Sequence, residues 1–182
     1  MQQPDNAGKW IVHGKRPIYE SKWVTVGLAD ITVPSGERFE HHVVWLPPAA
    51  MTLMLDDDNK HVLMSYRHRF VPDVWNYELP GGLLNEEETP EATAAREAEE
   101  ETGFRPRSME NLATFEPMIG TVTNPHYIYL GRGAEQVGDA SELDEGKFRW
   151  VPVSDLRGLV SSGKIANSGA LVAVLHFLAF SP

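Results

Sequence analysis

The stretch Gly82–Phe104, GLLNEEETPEATAAREAEEETGF, decides how the rest of the chain is read. Its spacing is G-x5-E-x7-R-E-A-x-E-E-x-G-F, with Gly82, Glu88, Arg96, Glu97, Glu100, Glu101 and Gly103 at fixed places and Ala98 and Phe104 in apolar slots. Thr89 followed by Pro90 is a helix start, a hydroxyl cap ahead of a proline at the first helical position. The run Glu91–Thr102 is rich in Ala and Glu, both good helix formers, and Gly103 is placed to end it. At about 100° per residue, Glu97 and Glu101 lie one turn apart with Glu100 beside them. Three carboxylates on one side repel one another, and hard divalent cations such as Mg²⁺ or Mn²⁺ relieve that repulsion. Arg96, four residues before Glu100, is placed to hold that carboxylate. Ala94, Ala95 and Ala98 form a separate small-residue face suited to close packing on a sheet. Glu99 falls roughly opposite Glu97 and reads as solvated charge, as do Glu86, Glu87 and Glu91.

The remaining composition bounds the function. With 182 residues the chain can bury a core as one domain with an added subdomain. There are 26 acidic against 16 basic residues, a net charge of −10, which argues against nucleic acid or an anionic membrane as partner. Eight of the acidic residues lie between Glu86 and Glu101, so part of the imbalance belongs to the expected metal site. An anionic substrate is then met through cations and a few arginines. The absence of cysteine excludes disulfides and thiolate metal sites and agrees with a cytoplasmic protein. The beginning MQQPDNAGKW lacks the order of a signal peptide. Gly169–Phe180, the most apolar segment, is too short to span a bilayer and is expected as a core-facing helix.

Tyr19–Pro34 and Phe39–Leu46 are expected as strands around the Pro34-Ser35-Gly36 turn, forming a small antiparallel β subdomain over residues 1–48. Ala50–Leu55 and His61–Tyr66 are expected as a second hairpin across Asp56-Asp57-Asp58-Asn59, read as a solvated turn. Leu112–Met118, Tyr127–Leu130 and Phe148–Val153 read as further strands. A short helix over Ser154–Ser161 with a Ser cap and a last helix over Asn167–Ala179 complete residues 49–182. This order predicts an α/β fold, an α/β/α sandwich around a mixed sheet.

The spaced residues of Gly82–Phe104 make up a complete Nudix box, so the chain resembles Nudix hydrolases. The resemblance implies the Nudix fold over roughly Pro48–Pro182 and metal-assisted cleavage of a phosphoanhydride. It implies a metal site of Glu97, Glu100, Glu101 and the Gly81 carbonyl. Tyr66-Arg67-His68-Arg69 and Trp75-Asn76-Tyr77-Glu78-Leu79-Pro80-Gly81-Gly82 are similar to the YR…W…ELPGG pattern of ADP-ribose and nucleoside-diphosphate-sugar pyrophosphatases. That branch implies an N-terminal β subdomain that forms a homodimer. The chain departs from the branch after the box, where Pro117 follows Phe104 by 13 residues and Ile119-Gly120 replaces the proline-glycine pair.

Outside the box, Arg67 is a phosphate contact or a surface ion pair. Glu78 is a contact to ribose hydroxyls or an amino group, or a structural ion pair. Trp75 stacks on a base or is buried in the core. Several Nudix pyrophosphatases take the general base from a late loop, which makes Glu142 and Glu145 candidates, or else solvated charges. The expected reaction is Mg²⁺-dependent hydrolysis of ADP-ribose or a related nucleotide sugar to two monophosphates. Alternatives are hydrolysis of a (d)NTP or dinucleoside polyphosphate, or a non-catalytic nucleotide-sensing module. Such modules usually lose box glutamates, and this chain keeps every one.

Overall fold

Ala49–Met54 (β4) is buried along its whole length, and its two faces organise the larger part of the molecule. The computed structural model describes residues 8–141 and 146–181. On one face of β4, Ala50 and Met54 pack with Ala94 and Ala98 of α1 (Pro90–Thr102). On the other, Met51 and Leu53 share a core with Leu156 of α2 (Leu156–Ser161) and with Ala170, Ala173, Val174 and Phe177 of α3 (Ser168–Phe180). Because successive strand residues point to opposite faces, one buried strand serves both helical layers. The predicted α/β/α layering is present.

The chain divides into two compact units, one of residues up to Pro47 with Met118–Asn124, the other of Pro48–Pro117 and Pro125–Pro182. The first holds β1 (Ile11–Glu20), β2 (Thr25–Thr32) and β3 (Arg38–Trp45) as an antiparallel meander, with β9 (Val122–Thr123) parallel to β3. The sequence reading assigned neither Met118–Asn124 to this unit nor β1 to a strand. Every residue of β1 is exposed, so it carries no inside-outside alternation to read.

The second unit places its strands in two sheets. One is mixed, in the order β7 (Gly81–Leu83), β4, β10 (His126–Gln136), β8 (Phe104–Phe115), with β10 parallel to β4. The other is antiparallel, in the order β11 (Lys147–Pro152), β5 (His61–Arg69), β6 (Val74–Glu78). The expected hairpin between β4 and β5 is therefore corrected. The two strands meet at the isolated Leu55–Val62 bridge and then part into different sheets. Asp56 organises the turn, accepting the backbone N–H of Lys60 at 2.7 Å. The helix expected from Ser154 starts at Leu156, after a 3-10 turn over Val153–Asp155, and Ser154 makes no cap bond. Asn167 caps α3, its side chain accepting the Ala170 N–H at 2.9 Å.

Candidate active site

Local chemistry sets the box helix. The Thr89 hydroxyl accepts the Ala92 N–H at 3.2 Å, and Pro90 takes the first turn, where a missing donor costs nothing. Gly103 ends α1 in the left-handed region at φ 75°, its N–H bonding the Glu99 carbonyl at 2.8 Å. Ala94 and Ala98 are fully buried, and the Thr52 hydroxyl donates to the Ala94 carbonyl at 2.9 Å. Large side chains at these positions would push the helix off the sheet, so the small face decides how deeply the carboxylates sit.

Two of those carboxylates rest on the turn that opens β7. The Gly81 N–H donates to Glu101 Oε2 at 3.0 Å, and Glu101 is 6% exposed. A Cβ at Gly82 would overlap the Glu97 carboxylate, so the glycine is what lets that group lie against the backbone. Arg96 spans the outer side, with Nη1 2.9 Å from Glu97 Oε1 and 2.7 Å from Glu100 Oε2. Its Nε and Nη2 donate to Glu88 at 2.8 and 3.0 Å, and the Thr93 hydroxyl donates to Glu88 at 2.9 Å. Hydrogen bonds from Arg96, then from Thr93, hold the Glu88 carboxyl down at about 2. Glu88 first, then Glu100 and Glu97, raise the Arg96 guanidinium above its ordinary range against the opposing effect of burial.

The donor set fits a hard divalent cation. Glu97, Glu100 and Glu101 offer oxygen alone, and the glycine-lined turn holds two of them against the backbone. Among the described residues no three acidic or histidine side chains are yet grouped as a cage. Arg96 bridges Glu97 and Glu100, so these two are drawn toward the guanidinium.

The remaining predicted residues separate. Alternation along β5 and β6 puts Arg67, Arg69, Asn76 and Glu78 on one face and Tyr66, His68, Trp75 and Tyr77 on the other. Burial, then the neighbouring Arg69 charge, lowers the Arg67 guanidinium from its ordinary range, while Glu78 and Glu101 oppose the shift. Glu78 is 4% exposed and is held by Arg69 Nη2 at 2.6 Å and Nε at 2.9 Å, with Asn76 Nδ2 at 3.1 Å. Of its two readings, the structure has the ion pair. Arg69 is the residue the sequence reading passed over, though its alternation with Arg67 was a usable signal. Of the two readings of Trp75, core burial is corrected. It is 60% exposed, not core, and stacks on Tyr66 with centroids 5.5 Å apart on the face away from Glu78. Glu142 and Glu145 lie outside the described residues. Just before them, the Ser141 N–H and hydroxyl both donate to the Glu100 carbonyl, at 2.8 and 3.1 Å.

The family model described as NUDIX domain matches residues 45–169. A CMP-5'-(N-acetyl-N-hydroxy-3-aminopropyl)phosphonate hydrolase of Streptomyces rubellomurinus is 46% identical over 93% of this chain and 82% of its own. An ADP-ribose pyrophosphatase of Bacillus subtilis is 27% identical over 89% of each chain. A crystal structure of an ADP compounds hydrolase superposes with a TM-score of 0.81 over 96% of this chain and 95% of its own. At 16% identity that last likeness concerns the fold.

Proposed function

We propose, for a chain that belongs to the Nudix family and is a pyrophosphatase, hydrolysis of the phosphoanhydride joining a nucleoside 5′-monophosphate to a second phosphorus acid. Nudix hydrolases generally use divalent metal ions, and Mg²⁺ or Mn²⁺ is the ion proposed here. The observation that carries the reading is the pair of box carboxylates, Glu97 and Glu101, seated on Gly82 and Gly81 beside Glu100 and Arg96. Glu97, Glu100, Glu101 and the Gly81 carbonyl would hold the divalent cation, which when bound would supply Lewis acidity to the phosphate oxygens and lower the pKa of the attacking water.

The chain's own residues do the rest. The Gly81 N–H fixes the rotamer of Glu101, so one oxygen is oriented before any ligand arrives. Arg96 balances the negative charge of Glu88, Glu97 and Glu100 and keeps the helix from repelling an anionic substrate outright. Arg67, on the sheet face that carries Glu78, is the proposed phosphate contact. Glu142 or Glu145 is the proposed base.

ADP-ribose or a related nucleotide sugar, split to two monophosphates, is one member of this substrate class. The 46% identity to a hydrolase of a CMP-linked phosphonate favours a second, a nucleotidyl phosphonate. We also propose a homodimer, supported by the exposed strand β1, and a cytoplasmic location. Among the described residues no helix is long and apolar enough to cross a membrane.

A panel of ADP-ribose, other nucleotide sugars, a CMP-linked phosphonate, dATP and dGTP with Mg²⁺ tests the class. The linked compounds should lead the triphosphates in kcat/KM by at least about tenfold, roughly 1.4 kcal/mol in transition-state binding. EDTA should abolish the activity and Mg²⁺ or Mn²⁺ restore it. Triphosphates in the lead would overturn the substrate class, and EDTA-resistant turnover the metal chemistry.

A further inference from the structure

The turn between β5 and β6 overhangs a cavity of about 450 Å³ that also meets the residues just before α3. This is within the range of small-ligand sites. Its lining is unusual for a site that would read a sugar. Phe70, Val71, Pro72, Val74 and Ala166 give it an apolar wall, and Phe70 and Val71 are 84% and 81% exposed. Solvent-facing aromatic and branched side chains on a turn cost solubility unless an apolar ligand covers them.

Most polar groups of the lining already hold partners: Arg69, Asn76, Glu78 and Asn167 bond in a chain, and His68 Nε2 pairs with Asp73 at 2.9 Å. Both Glu78 oxygens accept from Arg69, and Oε1 also accepts from Asn76 Nδ2. Asn76 Oδ1 accepts the Asn167 N–H at 3.2 Å, and Asn167 Oδ1 accepts the Ala170 N–H at 2.9 Å. A sugar with several hydroxyls needs uncommitted donors and acceptors at fixed places, and a site lacking them leaves those hydroxyls desolvated and badly paired. Arg67 also lines the cavity, and Glu78 of the lining stands three residues before Gly81, whose N–H holds Glu101, which ties the cavity to the box carboxylates.

We propose that this cavity receives the part of the substrate beyond the second phosphorus, and that it selects a phosphate or phosphonate bearing a short apolar chain over one bearing a polyhydroxylated sugar. Arg67 meets the phosphorus acid, and Phe70, Val71 and Val74 cover the chain. The assignment rests on the pyrophosphatase reading given above and names which half of that class the site takes.

The test keeps the nucleoside constant. Kinetics are compared for ADP-ribose and for AMP joined through an anhydride to propylphosphonate, in wild type and in the double variant Phe70→Ser, Val71→Ser. Both positions are solvent-facing, so the variant folds. Wild type should favour the propylphosphonate anhydride by about tenfold in kcat/KM, and the double variant should shrink that ratio to about two. In calorimetric titrations, propylphosphonate alone should bind wild type at least about fivefold more tightly than ribose 5-phosphate. Equal or better turnover of ADP-ribose, or a ratio the double variant leaves unchanged, overturns the cavity assignment while the pyrophosphatase reading stands. Cleavage of neither anhydride overturns both.

Discussion

Replacing Glu101 by Gln removes a charge while keeping nearly the same shape, which separates its part in chemistry from its part in folding. Glu101 is buried and accepts the Gly81 N–H at 3.0 Å. A glutamine oxygen keeps an acceptor there, so the change replaces a charge-assisted bond of about 1.5–3 kcal/mol by a neutral one of about 1. Relief of a buried charge offsets part of that loss. The net cost to stability should be about 1 kcal/mol or less, a Tm shift of about 2–4 °C for a chain of this size. Loss of one anionic metal ligand should lower kcat/KM by about 10²–10³, equivalent to about 2.7–4.1 kcal/mol. Thermal unfolding and AMP release at saturating Mg²⁺ measure the two quantities. Glu99→Gln is the reference, because Glu99 pairs with Arg105 at 2.7 Å instead. A rate within threefold of wild type, or a rate loss that merely follows unfolding, would refute the role of Glu101.

Three other perturbations bear on the site and its surroundings. Arg69→Ala leaves the Glu78 carboxylate buried with Asn76, and since Arg69 is itself about half exposed the cost should be about 2 kcal/mol in urea unfolding; a loss under about 0.5 would contradict the importance of the pair. Glu88 titrates at about 2 in the fold against an ordinary value of 4.5, so its contribution is full above the ordinary value and is lost as pH falls from there through 2. Wild type should therefore lose stability across that window more steeply than Glu88→Gln, and parallel curves would remove Glu88 from the account. Light scattering should show a dimer at micromolar concentration and a monomer after deletion of residues 1–46; a monomeric full-length protein would rule out the proposed assembly.

The box helix was legible because its signals are local. Thr89, Pro90 and Gly103 act within one turn, and a spacing of three and four residues places Glu97, Glu100 and Glu101 without any knowledge of the sheet. Strand partners were not legible to the same degree. β4 and the Val62–Ser65 part of β5 are buried on both faces, so neither shows the alternation that would identify a neighbour, and proximity across Asp56–Asn59 suggested a hairpin that the sheets do not form. The burial of Trp75 was misjudged, and the separation of Trp75 from Glu78 missed, for a related reason. Their side chains project from opposite faces of β6, a consequence of strand geometry that motif matching treats as one continuous pattern.

The close seating of α1 has a consequence for how the protein tolerates heat. Its alanine face, the Thr52 bond and the caps at both ends leave little room for the helix to fray or slide. Glu97, Glu100 and Glu101 therefore ride on a segment whose amides should exchange with solvent at rates close to those of whole-molecule opening. Catalytic competence should then persist up to the melting transition and vanish with it, whereas the exposed β5–β6 turn exchanges freely far below that temperature. Selection can reshape that turn for a new leaving group without disturbing the helix that carries the carboxylates.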